Sequence, residues 1–150
     1  MKYFYDATGL KTKVTDALNH STENFFDFTK HQLTRTLDAV GKELKYYYDS
    51  AGRITKAGAG SSGTIMPTLN FYDGATGMMT KVRYTDAASN TSDVQYYFNK
   101  ARQMTKLTVW TGDLEYGYSN IGQLTKIIDY DTEDLLYAYD AVGRVTSMTD

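Results

Sequence analysis

The stretch YYYDSAGRIT, residues 46–55, reads as two short strands joined by a tight turn. Tyrosines crowd its first half, and Ile54 and Thr55, both β-branched, open its second. Between them Asp49 suits the first position of a type I turn, because its carboxylate can accept backbone N–H groups two residues on. Gly52 suits the left-handed position that follows, which glycine alone adopts at little steric cost. The expected product is a three-residue loop closed by a glycine bulge, with Tyr48 opposite Ile54.

The same arrangement recurs along the whole chain. Aligned on the last aromatic before each turn, the units are Tyr5 in YDATGLKT, Phe28 in FTKHQLT, Tyr48 in YDSAGRIT, Tyr72 in YDGATGMMT, Phe98 in FNKARQMT, Tyr118 in YSNIGQLT and Tyr139 in YDAVGRVT. The spacings are 23, 20, 24, 26, 20 and 21 residues, a period of roughly 22. The motif positions are Tyr5, Asp6 and Gly9; Tyr48, Asp49, Gly52 and Arg53; Tyr72, Asp73 and Gly77; Tyr118 and Gly122; and Tyr139, Asp140, Gly143 and Arg144. Two units are degenerate: Thr29 and Asn99 stand in place of the aspartate, and Gln32 and Arg102 in place of the glycine.

The loop geometry carries a register. Asp140 should face Arg144, Tyr139 Val145 and Ala138 Thr146, and likewise Phe98 should face Met104 and Tyr118 Leu124. One step further from the turn, Tyr46 would face Lys56, Tyr96 Lys106 and Tyr116 Lys126. Lysine stems would then lie along tyrosine rings, each pair contributing a few tenths to about 1 kcal/mol. Between hairpins, Asp, Gly, Ser and Asn cluster in TDALNHST, LDAVGKEL, AGAGSSGT, TDAASNTS, WTGDLE and DYDTEDLL, so the chain turns again at each. The expected fold is all-β: one repeat array over residues 1–150, a curved antiparallel meander of about 14 short strands forming an open spiral strip. Pro67 is expected in a connection. The segment LNHSTENFFDFTKHQL has some helical character, which the repeat register overrides.

Composition fits a thin, tyrosine-rich core. Leu, Ile, Val and Phe make up about 19% of the chain, and 14 tyrosines supply ring area in their place. A net charge of −2, with scattered Lys and Arg, argues against a nucleic-acid partner. With no cysteine there is neither a disulfide nor a thiolate metal site. No apolar run is long enough to span a membrane, and the opening MKYFYDATG has no signal-peptide pattern.

Catalytic constellations are absent from the pattern. His20 and His31 fall in a connection and in the degenerate second unit, Ser61 and Ser62 in AGAGSSGT lack the strand–lysine context of a phosphate loop, and no nucleophile elbow occurs. Asp129, Asp131, Glu133 and Asp134 place oxygens at alternating positions, but without the glycine of a calcium loop. No catalytic residue, cofactor or metal is therefore expected. Trp110, with Tyr116 nearby, is the candidate for stacking on a sugar, against the simpler reading that it packs on the neighbouring hairpin.

The pattern Y-x-Y-D-x-x-G-R-[IV]-T, in YYYDSAGRIT and YAYDAVGRVT, resembles the YD repeat of bacterial RHS proteins, of the Tc insecticidal toxin shell and of animal teneurins, across essentially the whole chain. The resemblance implies a β-strip that spirals into a hollow shell enclosing a toxin, or that acts in adhesion, in a secreted or cell-surface protein. This chain is too short to close such a shell and lacks the Gly- and Pro-rich self-cleavage segment. The expected role is a structural, non-enzymatic repeat module; the alternative is a carbohydrate- or cell-surface-binding module. The expected partners are a second copy or flanking repeats of a longer parent chain, through edge strands near residues 2–5 and 144–149, with toxin cargo or a glycan beyond them.

Overall fold

A computed structural model describes residues 1–59, 66–86, 88–131 and 134–149. The loops set the architecture. In the unit beginning at Tyr48, the Asp49 N–H donates to the Arg53 carbonyl at 3.0 Å and the Gly52 N–H donates to the Asp49 carbonyl at 3.1 Å. Gly52 sits at φ 79°. This is the three-residue loop with a glycine bulge, and equivalent bonds close the loops starting at Asp6, Asn99, Ser119 and Asp140.

Each loop joins two antiparallel strands. The first seven are β1 (Lys2–Tyr5), β2 (Lys11–Thr15), β3 (Ser21–Asp27), β4 (Gln32–Leu37), β5 (Glu43–Tyr48), β6 (Ile54–Ala59) and β7 (Met66–Tyr72). They are followed by β8 (Met79–Thr85), β9 (Thr91–Phe98), β10 (Met104–Val109), β11 (Gly112–Tyr118), β12 (Leu124–Asp129), β13 (Leu135–Tyr139) and β14 (Val145–Thr149). They form one open antiparallel sheet in chain order, an all-β meander with no helix among the described residues. Contacts group the strands into two compact units, Met1–Asn70 with Arg83–Thr91, and Phe71–Val82 with Ser92–Asp150.

The expected register holds next to the loop and fails one step beyond it. Tyr48 faces Ile54, Phe98 Met104, Tyr118 Leu124 and Tyr139 Val145. Lys56, however, faces Tyr47, not Tyr46, and Lys106 faces Tyr97. Lys126 faces Gly117, and Ala138 faces Ser147, not Thr146. In each case the threonine of the motif is an extra residue, so a second bulge follows the glycine one. The threonine hydroxyl helps to seat it: Oγ1 of Thr34 donates to the Phe25 carbonyl at 3.0 Å and Oγ1 of Thr55 to the Tyr47 carbonyl at 3.3 Å. A one-residue slip moves every following side chain to the other face. The lysines thus leave the motif-tyrosine face, and Lys56 Nζ lies 5.2 Å from the Tyr47 ring centre.

Four further expectations are corrected. Pro67 lies within β7, facing Gly58, where its missing N–H is tolerated near the start of a strand. In the second unit the motif aromatic is Phe26, which faces Leu33, and the aspartate is Asp27, whose Oδ1 accepts the Thr29 and Lys30 N–H groups at 2.9 and 3.0 Å. Phe28 is an exposed loop residue, and the left-handed position is His31 at φ 54°, not Gln32. This loop is one residue longer than the others, as is the loop from Asp73 to Met78.

Arg102 occupies its left-handed position at φ 62°. A side chain there costs about 1 kcal/mol, so Arg102→Gly should stabilise the chain by about 0.5–1 kcal/mol in urea unfolding. An unchanged or lowered midpoint would contradict this account of the loop.

Burial is shallow throughout. Among the described residues Val82 is the single hydrophobic that is fully buried, at 6% exposure, and no large side chain is wholly enclosed. Stability must come from strand-to-strand contacts repeated along the sheet, as in other repeat arrays.

Candidate functional site

The chemistry of this chain is concentrated along the edge that carries the motif loops. Asp49 Oδ1 accepts the Ala51 and Arg53 N–H groups at 2.9 and 3.0 Å, while Oδ2 accepts Arg53 Nε at 2.7 Å. Asp140 does the same with Val142 and Arg144, its Oδ2 accepting Arg144 Nε at 2.7 Å. Turns at the opposite edge reuse the device: Asp16 Oδ1 accepts the Leu18 and His20 N–H groups, and Asp38 Oδ1 those of Val40 and Lys42.

At Asp49 and Asp140 these bonds favour the charged form. The Arg53 N–H and then the Arg53 side chain hold Asp49 below the ordinary carboxylate range, and the Arg144 N–H and side chain do the same for Asp140. The Thr8 hydroxyl lowers Asp6, the Thr76 hydroxyl Asp73 and the Asn90 amide Asp86. A carboxylate depressed in the folded state contributes stability above its unfolded pKa of about 3.9, and that stability is lost as pH falls through the lower folded value. The urea midpoint should therefore hold from neutral pH to about 5 and fall steeply below about 4. The acid limb should be shallower in Asp49→Asn with Asp140→Asn, and an identical limb in that double variant would refute the assignment.

A second set of bonds joins one hairpin to the next. The Tyr48 hydroxyl donates to the Leu33 carbonyl at 2.7 Å, that of Tyr118 to the Met104 carbonyl at 2.8 Å, and that of Tyr139 to the Leu124 carbonyl at 2.7 Å. Each acceptor is the first or second residue of the preceding hairpin's second strand. Between β4 and β5 the register runs from Leu37↔Glu43 to Arg35↔Lys45, and between β12 and β13 through Lys126 and Ile127. The hydroxyl bridges the strands beyond those pairs. Burial raises the Tyr48 and Tyr118 hydroxyls above the ordinary phenol range. Where the motif aromatic of the second unit is Phe26, the donor is Asn24, two residues earlier on the same face, whose Nδ2 reaches the Lys11 carbonyl at 2.9 Å.

Glutamines add a loop-to-loop link. Gln103 Nε2 donates to the Gly122 carbonyl at 2.9 Å, and Gln32 Nε2 lies against Gly52. Arginine after the left-handed position thus closes its own loop, whereas glutamine there reaches the next. On the opposite face runs a ladder of ion pairs, each from one hairpin's second strand to the next hairpin's first. Its members are Lys13–Glu23 at 2.9 Å, Arg35–Glu43 at 2.6 Å and Lys81–Asp93 at 3.7 Å, continued by Lys106–Asp113 and Lys126–Asp134. The sequence reading missed these links because they join residues 7 to 20 positions apart on neighbouring hairpins.

The sugar-stacking candidates are not brought together. Trp110 lies in the two-residue turn between Val109 and Gly112 and is 84% exposed. Tyr116 lies in mid-strand facing Ile127, four residues beyond Gly112, about 14 Å along the strand. His20 Nδ1 lies 3.1 Å from Asp16 Oδ2. Of the acidic run, Asp134 pairs with Lys126 and Asp131 donates its N–H to Asp129, while Glu133 is outside the described residues, as are Ser61 and Ser62.

The family model described as RHS Repeat matches residues 118–150, the hairpin from Tyr118 and the one from Tyr139. Residues 118–150 match an RHS repeat. The RHS reading of the motif is thereby supported at the C-terminal end, and the Tyr, Asp and Gly positions of earlier hairpins have the same geometry. The sheet is similar to the crystal structure of TcdB2-TccC3-TEV, with a TM-score of 0.70 and 17% identity over 97% of this chain and 8% of that one. The crystal structure of TcdB2-TccC3 without its hypervariable C-terminal region gives a TM-score of 0.70 and 17% identity over 96% of this chain and 9% of that one. At that identity the likeness is one of fold, and the chain spans less than a tenth of either. Curated proteins give no match. Together the RHS repeat and the fold support a structural repeat module.

Proposed function

We propose that this chain is a length of RHS-type wall: a single array of seven repeats, residues 1–150, that continues a curved strip around an enclosed space and does no chemistry itself. One observation carries the reading. The same hydroxyl, glutamine and ion-pair links recur from hairpin to hairpin, so the chain is built to be extended by further hairpins, and β1 and β14 are exposed along their whole length. Unpaired strand edges recruit other strands. The partner is then a flanking repeat of a longer parent chain or a second copy, and the enclosed cargo a toxin, as in the shells the motif resembles. A secreted or cell-surface location follows from the same resemblance.

The test is light scattering on a size-exclusion column over a concentration series, with Ser147→Pro as the edge-blocked variant. Mass should rise with concentration for the natural chain and stay at one copy for the variant, both keeping a β-sheet circular dichroism spectrum. A natural chain that stays at one copy at every concentration defeats the reading. The exposure of Trp110 favours one second reading, a sugar-binding surface, which requires glycan binding lost in Trp110→Ala without loss of fold.

A further inference from the structure

Loops of one kind differ in what satisfies their carboxylate. Arg53 and Arg144, four residues after Asp49 and Asp140, each bring Nε to the aspartate Oδ2 at 2.7 Å. In the first hairpin Leu10 stands at that position. Asp6 Oδ1 accepts the Thr8 N–H, the Thr8 hydroxyl and the Leu10 N–H at 2.9, 2.7 and 3.0 Å. Asp6 Oδ2 is buried and has no hydrogen-bond partner. A buried carboxylate oxygen without a donor is costly, and in the motif loops from Asp49 and Asp140 a guanidinium supplies that donor.

Beside Asp6 a groove of about 350 Å³ opens, bounded on the far side by Phe26 and Phe28 of the second hairpin. Lys13, also on its wall, is held by Glu23 Oε1 at 2.9 Å. The motif aromatic on this side is Phe26, so no tyrosine hydroxyl spans the gap. Phe28 is 74% exposed, a ring free to lie against a ligand.

We propose that this groove binds the guanidinium of an arginine side chain presented by another polypeptide, with Asp6 Oδ2 accepting its N–H and the rings of Phe26 and Phe28 flanking it. The planar fork of arginine matches a carboxylate beside aromatic faces, which the compact ammonium of lysine does not. The Thr8 hydroxyl, and more weakly the charge of His31, lower Asp6, so at pH 7.5 the loop presents a carboxylate.

The experiment is an NMR titration of the whole chain with N-acetyl-arginine-N-methylamide, beside the corresponding lysine compound. Saturable shifts are expected at the Thr8 and Leu10 amides and the Phe28 ring. Binding should weaken about tenfold or more in Asp6→Asn, which keeps an oxygen for the loop N–H groups. It should vanish in Leu10→Arg, which supplies the guanidinium internally, and persist in Asp140→Asn. Absence of saturable shifts, an unchanged response in Leu10→Arg, or an equal response to the lysine compound overturns the proposal. Because the probe is a small amino-acid derivative, the outcome does not depend on whether the chain assembles.

Discussion

Replacing Tyr118 by alanine should destabilise the chain by about 3 kcal/mol, and replacing it by phenylalanine by about 1 kcal/mol. The smaller figure is the hydroxyl alone. Its 2.8 Å bond to the Met104 carbonyl is part-buried, and phenylalanine leaves that carbonyl without its bridge. The larger figure adds the half-buried ring, which faces Leu124 across its own hairpin and reaches β10 of the preceding one. Urea unfolding separates the two contributions. If the hydroxyl links neighbouring hairpins, Tyr118→Phe should also speed hydrogen exchange at the β10–β11 boundary more than at the Tyr118–Leu124 pair. Equal losses for the two variants would mean that the ring, not the link, holds the hairpins together.

Gly112→Ala should cost about 2–3 kcal/mol, although the glycine lies outside every motif. Gly112 has φ 154° at the start of β11, and a Cβ there would overlap the Tyr130 ring. Alanine therefore adds backbone strain and displaces a ring that covers the turn holding Trp110. Gly74 offers the control: it has no positive φ, and a Cβ would meet nothing within 4 Å. Gly74→Ala should leave stability within about 0.5 kcal/mol of the natural chain. Comparable losses at both positions would show that chain flexibility, not the Tyr130 contact, sets the cost at Gly112.

The second unit shows how far pattern reading reaches. Aligned on its last aromatic, Phe28, it looked degenerate, with threonine for aspartate and glutamine for glycine. Counted back instead from its Leu33–Thr34 pair, FDFTKHQLT matches YDGATGMMT position for position, and Phe26, Asp27 and His31 fall into place. That signal was present in the sequence, and the aromatic anchor concealed it. The lysine ladder failed for a different reason. Period-2 alternation carries no mark of an inserted residue, so the threonine bulge, which moves Lys56 from Tyr46 to Tyr47, could not be read from spacing.

What the sequence determined by itself was the set of loops and the hairpins they close. Aspartate and glycine act within four or five residues of one another, and such local chemistry needs nothing from the rest of the chain. The tertiary structure decided which hairpin touches which group of the next: Tyr118 on the Met104 carbonyl, Gln103 on Gly122, Lys126 on Asp134, and the unfilled carboxylate of Asp6. Those contacts depend on a register reset by a bulge in every hairpin and on strands that separate toward the motif edge, and both exist only once neighbouring hairpins are in place.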